Sequence, residues 1–140
     1  MAANTSEIRV GRLLQVRVGK GYETPEDVDE MITMIRAATS KLAPGVKHVT
    51  VADWRRCSVL SASASEQALK MLLAVNPRTE RSAMLYSAGS PTAVMQFVRL
   101  VREAGNPNRR LFSEATALTA WLDELLTPEE SAELRRFLAT

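Results

Sequence analysis

The first readable pattern in the chain is a run of even-numbered apolar residues: Ile8, Val10, Leu14, Val16 and Val18, with arginine, glutamine and glycine among the residues between them. Alternation of this kind is the signature of a half-buried strand. Gly11-Arg12 breaks the run and predicts a tight turn, hence a hairpin in preference to one long bulged strand. Residues 1–7 precede the pattern and are expected to be disordered.

From Thr24 the period lengthens. Thr24-Pro25-Glu26-Asp27 places a capping hydroxyl, a proline and two acids where a helix begins. Val28, Met31, Ile32, Ile35, Ala38 and Leu42 follow at helical spacing, and Pro44-Gly45 stops them. Val46–Ala52 reads as a valine-rich strand that ends against Asp53. Ser63 and Glu66 have capping-box spacing, which starts a second helix near Ala64. Its apolar side is Ala68, Leu69, Met71, Leu72 and Val75, and Asn76-Pro77 ends it.

Ser82–Tyr86 is a third buried-type strand. Ser90-Pro91 opens a third helix with the stripe Val94, Phe97, Val98 and Val101, closed by Gly105 and Pro107. Arg110–Phe112 is a short strand, after which Ser113 caps a helix carrying Leu118, Trp121, Leu122 and Leu125. Thr127-Pro128-Glu129-Glu130 starts a last helix with Leu134, Phe137 and Leu138.

Alternating strands and amphipathic helices predict an α/β domain over residues 8–126, with a mixed, mostly parallel sheet of four to five strands and packed helices. Residues 127–140 are a C-terminal helix packed on or extending it. Right-handed crossovers gather the loops Gly19–Thr24, Asp53–Ala62 and Ser87–Ser90, and the corner at Ser113, at one end of the sheet. Sites on open α/β sheets usually sit there.

Composition narrows the function. With 46% apolar and 24% charged residues in 140, the chain can bury a core without metals or disulfides. A net charge of +2, with scattered arginines, gives no dense basic field for nucleic acid. Cys57 is the single cysteine, which points to a reducing, cytoplasmic setting. The longest apolar run, Met71–Val75, is far short of a membrane span, and the first residues carry no secretory signal. Neither a metal-ligand spacing nor a glycine-rich phosphate loop is present, so no metal or cofactor is expected.

The chemistry gathers in Lys47–Leu73. His48, the single histidine, lies at the start of its strand, about 16 Å from the loop that holds Cys57 and the serines. A nucleophile–histidine pair is therefore not expected, and His48 reads as an exposed or capping residue. Arg55 and Arg56 would lower the Cys57 pKa, although a lone buried cysteine is the commoner outcome. Asp53, Trp54, Arg55 and Arg56 suit a recognition surface, because Trp and Arg are favoured interface anchors. In the alternative reading, Asp53 caps local amides and Trp54 packs over a sheet edge. Trp121 shares a stripe with leucines and belongs to the core. Ser58, Ser61 and Ser63 lie near a helix start, where a phosphoryl group would be electrostatically tolerated. Lys47, His48, Arg78, Arg81, Arg109 and Arg110 fall at the opposite end, as a diffuse basic rim or simply a solvated edge.

The hairpin-like start, TPEDVDEMITMI as first helix, VTVADW as central strand, the serine-rich entry to the next helix and RRLFSEATALTAWL together resemble the STAS/SpoIIAA-like domains of bacteria. The resemblance implies a non-catalytic regulatory module that binds a protein partner and often forms a homodimer. In regulatory members an Asp-Ser-Ser-Gly motif opens the second helix and carries a phosphorylated serine. That motif falls on Ser61, Ala62, Ser63 and Ala64, so only Ser63 matches a motif serine. The expectation is a partner-docking module using Asp53, Trp54, Arg55, Arg56, Ser87 and Ser90, without enzymatic activity, nucleic-acid binding or membrane insertion. The alternative is a small-ligand or lipid binder with a pocket between helices and sheet.

Overall fold

In a computed structural model that describes residues 3–140, the chain forms one five-stranded sheet. β1 (Thr5–Ile8) and β2 (Leu13–Arg17) form the expected hairpin, with Ile8 opposite Leu14 and Thr5 opposite Arg17. β1 therefore starts inside the stretch expected to be disordered, of which residues 1 and 2 lie outside the described residues. β3 (His48–Trp54), β4 (Thr79–Tyr86) and β5 (Arg109–Phe112) add in parallel, giving the spatial order β1-β2-β3-β4-β5. The parallel strands advance in one direction without a reversal. The sheet therefore lacks the switch-point crevice that locates sites in doubly wound folds.

Same-handed crossovers advancing in one direction place their helices on one face of the sheet. These are α1 (Pro25–Thr39), α2 (Ala62–Val75) and α3 (Pro91–Ala104). They cover Leu14, Val16, Ala52, Trp54 and Met84. The other face is closed by α4 (Ala115–Asp123) and α5 (Pro128–Leu138). Leu118, Trp121, Leu122, Leu134 and Phe137 pack there on Leu13, Val49, Val51, Ala83 and Leu85. The last helix is thus part of the second layer of the domain. It explains why Leu13 and Gln15, expected to face outward from a half-buried strand, are buried.

Local chemistry sets the helix ends. Thr24 accepts from the Asp27 amide while the Asp27 carboxylate accepts from the Thr24 amide, a complete capping box. Thr127 and Glu130 repeat it on α5. Glu130 also reaches the hairpin: its Oε2 accepts the Arg12 amide at 2.8 Å. This close approach requires Gly11, whose φ is +57° and where a Cβ would lie 2.2 Å from that oxygen.

Two expected caps are displaced. α2 is capped by Ser61, which accepts the Ala64 amide at 3.1 Å, and Ser63 lies inside its first turn. Glu114, not Ser113, precedes α4 and makes no side-chain cap bond. On α3 the buried stripe is Ala93, Phe97, Leu100 and Ala104, rotated from the expected one so that Val98 is exposed.

Candidate docking face at the carboxyl end of the sheet

The end of β3 sends consecutive side chains to opposite layers. Trp54 points to the α1–α3 side and is buried edge-on between Tyr22 and Phe97, with ring centroids 5.4 and 5.1 Å away. The reading of Trp54 as a surface anchor is thereby corrected, because it is one of the largest fully buried side chains. Both faces of β3 are covered, so no alternation in the sequence marks which residues reach solvent.

Asp53 points the other way and is also buried. Its carboxylate accepts from Arg17 Nη1 at 2.6 Å, from Arg55 Nε at 2.9 Å and Nη2 at 3.1 Å, and from the Arg55 amide at 3.1 Å. The same two arginines hold the end of α5: Arg17 donates to the Phe137 carbonyl and the Thr140 hydroxyl, and Arg55 donates to the Leu138 carbonyl. Burial pushes the Asp53 carboxyl up, but the hydrogen bonds and charge of Arg55, then the charge of Arg17, outweigh it and leave it lowered. Asp53 and Arg55 are therefore a clamp on the last helix.

Beyond the clamp the loop divides into buried and exposed positions. Arg56, Ser58, Ser61, Ser63 and Ser87 are exposed, and Ser90 is half-buried as the cap of α3, accepting the Ala93 amide. Cys57 is buried, and burial pushes its thiol up to about 11 against a weak lowering by a backbone contact with Tyr22. Cys57 is thus the lone buried cysteine of the commoner expectation, and desolvation of its thiolate, not activation by Arg55 and Arg56, sets its chemistry. Gln96 of α3 clasps the loop, accepting the Leu60 amide at 2.8 Å and donating to the Leu60 carbonyl at 2.9 Å. Next to this clasp are the apolar residues sequence reasoning missed: Val59 is 49% exposed, Met95 73% and Val98 47%. With Thr92, Arg99 and Arg102 the α3 residues form a shallow groove beside the serine loops. Leu73, also exposed, is in the last turn of α2, most of a helix length away.

At the amino end the basic rim is largely tied up. Arg78 donates to the Val46 carbonyl, Arg81 to the Trp121 carbonyl and Glu124, and Arg110 lies 4.7 Å from the Trp121 ring centroid. Arg109 and His48 are buried, contrary to the expectation of surface positions. Burial, then the charges of Arg78 and Arg109, hold the His48 imidazole down to about 4.

Between α1, α2 and the sheet is a cavity of about 30 Å³. Pockets for drug-sized ligands are roughly 300–1,000 Å³, so this one takes no lipid chain without movement of the helices. Among the described residues no group of three or more His, Cys, Asp or Glu could hold a metal ion, and no helix is long and apolar enough to cross a membrane.

No known protein family matches the sequence, and no curated protein matches it. Among solved structures, the chain is similar to an uncharacterized protein from the DUF3478 family with a SpoIIAA-like fold, from Shewanella loihica PV-4. The two share 18% identity over 86% of this chain and 94% of that one, with a TM-score of 0.63. Identity this low carries the fold alone. The five-stranded, mostly parallel sheet with its two helical layers is a SpoIIAA-like α/β domain.

Proposed function

We propose that this protein is a non-catalytic interaction module that docks a protein partner on the α3 face beside the serine loops. The observation that carries the reading is the exposure of Val59, Met95 and Val98 in one neighbourhood, fixed by the Gln96 clasp. Apolar side chains held on a rigid frame and rimmed by polar ones suit the centre of a docking site. Arg56, Ser87, Ser90, Arg99 and Arg102 supply the rim. Ser63 is the better placed candidate for phosphorylation: it is exposed in the first turn of α2, where a phosphoryl group meets free amides, whereas the Ser61 hydroxyl already accepts one.

The reading of a protein without catalysis is supported by the separation of the loop nucleophiles, buried Cys57 and the exposed serines after β3, from the histidine, whose near hydroxyl, Thr50, is buried with it. His48 and Trp54 bound a seven-residue strand, so the imidazole is about 20 Å from the serine loop.

The test is affinity capture with wild type, Met95→Glu and Val98→Glu. Burying a methionine at an interface contributes about 1.5–3 kcal/mol, so either change should weaken partner binding about ten- to hundredfold with the fold intact. Undiminished binding by both variants would refute the face. The homodimer implied by the family resemblance is part of the same proposal; sedimentation velocity reads it, and a monomeric mass at high concentration would refute that part.

A further inference from the structure

Three buried side-chain atoms that border the cavity beneath α1 and α2 have no hydrogen-bond partner among the described residues: Tyr22 Oη, His48 Nε2 and Arg109 Nε. Their residues are 2%, 1% and 4% exposed. Orphaned polar atoms at such burial are uncommon, because each loses its hydration without compensation. His48 to Trp54 spans about 20 Å of strand, and Tyr22 packs on Trp54. The Tyr22 hydroxyl therefore marks the far end, and the other two atoms share the amino end.

That end has the chemistry of an anion site. The Arg109 guanidinium donates through Nη1 to Asn76 Oδ1 at 2.7 Å, a neutral acceptor, and no carboxylate lines the cavity. Its positive charge is thus buried without a counter-charge, and Nε–H can only donate. The Thr50 hydroxyl is 2.7 Å from His48 Nδ1. When that hydroxyl donates, the neutral ring carries its proton on Nε2 and offers a second donor to the cavity.

The strands also depart from regularity at this place. A register shift between His48 and Val49 pairs them with Thr79 and Arg81 of β4, leaving Glu80 as an extra residue. In a regular strand Thr79 and Ser82 would face opposite sides. The bulge brings both to the cavity. Ser82 is also the β4 partner of Arg109, which sets the three strands' polar groups side by side.

We propose that the Arg109–His48 end of this cavity binds a compact monovalent anion, a halide or a small carboxylate, with its charge against Arg109 Nε–H and with His48 Nε2–H as the second donor. The whole cavity offers only about 30 Å³, room for no more than a few water-sized groups, so an anion held at this end must be compact, as chloride and formate are.

Because the chain has one histidine, its ring resonances report on this site without ambiguity. The protein is exchanged into gluconate buffer and titrated with chloride and with formate, following the His48 ring nitrogens and the Arg109 Nε–H by NMR. The expected result is a saturable shift of both signals with at least one of the two anions, together with a higher His48 pKa at saturation. Arg109→Lys, checked for folding by circular dichroism, should weaken the binding at least tenfold. Shifts that are linear in concentration and equal for formate and added gluconate would overturn the proposal, whatever the variant does.

Discussion

Asp53 is the residue whose role the structure changes most, and the Asp53→Asn variant tests the clamp. The asparagine side chain would keep one oxygen for the Arg55 amide and Nε, but its NH₂ group would turn a donor toward Arg17 and Arg55 Nη, which are themselves donors. Breaking a buried ion pair by neutralising one partner costs about 3–5 kcal/mol. Both arginines reach partly into solvent, and water relieves some of that cost, so we expect about 2–3 kcal/mol. For a domain of this size the loss corresponds to a fall in Tm of roughly 10 °C. Urea denaturation of Asp53→Asn at pH 7 should show a lower midpoint with an unchanged slope. The difference has a defined pH dependence. The folded carboxyl is lowered, so its contribution is present above the unfolded carboxylate range and is lost as pH falls through the folded value. Wild type should therefore exceed the variant equally at pH 7 and pH 5, and the gap should shrink below about pH 4. The same variant should speed amide exchange at Leu138 and Ala139, whose turn Arg17 and Arg55 hold. A change within 0.5 kcal/mol, roughly the scatter of surface substitutions, would refute the clamp.

Gly11→Ala should destabilise by more than the roughly 1 kcal/mol of a positive φ alone, because Glu130 must also give way; adding Glu130→Ala should recover part of the loss in a double-mutant cycle. His48 is held down to about 4, so an unfolded chain takes up its proton first. Stability should therefore fall between about pH 6.5 and pH 4 by on the order of 3 kcal/mol, and His48→Gln should flatten that part of the profile. Cys57, buried with its thiol raised to about 11, should react with a thiol reagent at pH 8 at least a hundredfold more slowly in the native protein than in urea.

The features legible in the sequence are local ones. Thr24 with Asp27 and Thr127 with Glu130 are unambiguous, because each cap has one hydroxyl and one acid at the right spacing. Ser61 and Ser63 offer the same hydroxyl two residues apart, and docking of α2, not propensity, decides between them. On α3, Val94, Val98 and Val101 are as apolar as Ala93, Leu100 and Ala104, so the sequence allows two stripes. The sheet takes the one with small residues at its ends, and Met95 and Val98 are left outside. Trp54 is misplaced by sequence reasoning for a related reason: burial on both faces removes the period-two signal that would have located it. The burial of His48 and Arg109 has no signal at all, since polar residues at a strand's start normally meet water. The docking face and the cavity both arise from choices made by tertiary packing.

Site-specific photo-crosslinking tests the docking face most directly. A photoreactive residue at Met95, on α3, is compared with one at Glu124, which is exposed on the opposite layer. In the cells the protein comes from, docking on α3 predicts one discrete protein adduct from position 95 and none from position 124. No adduct at 95, or the same adducts from both positions, would contradict it.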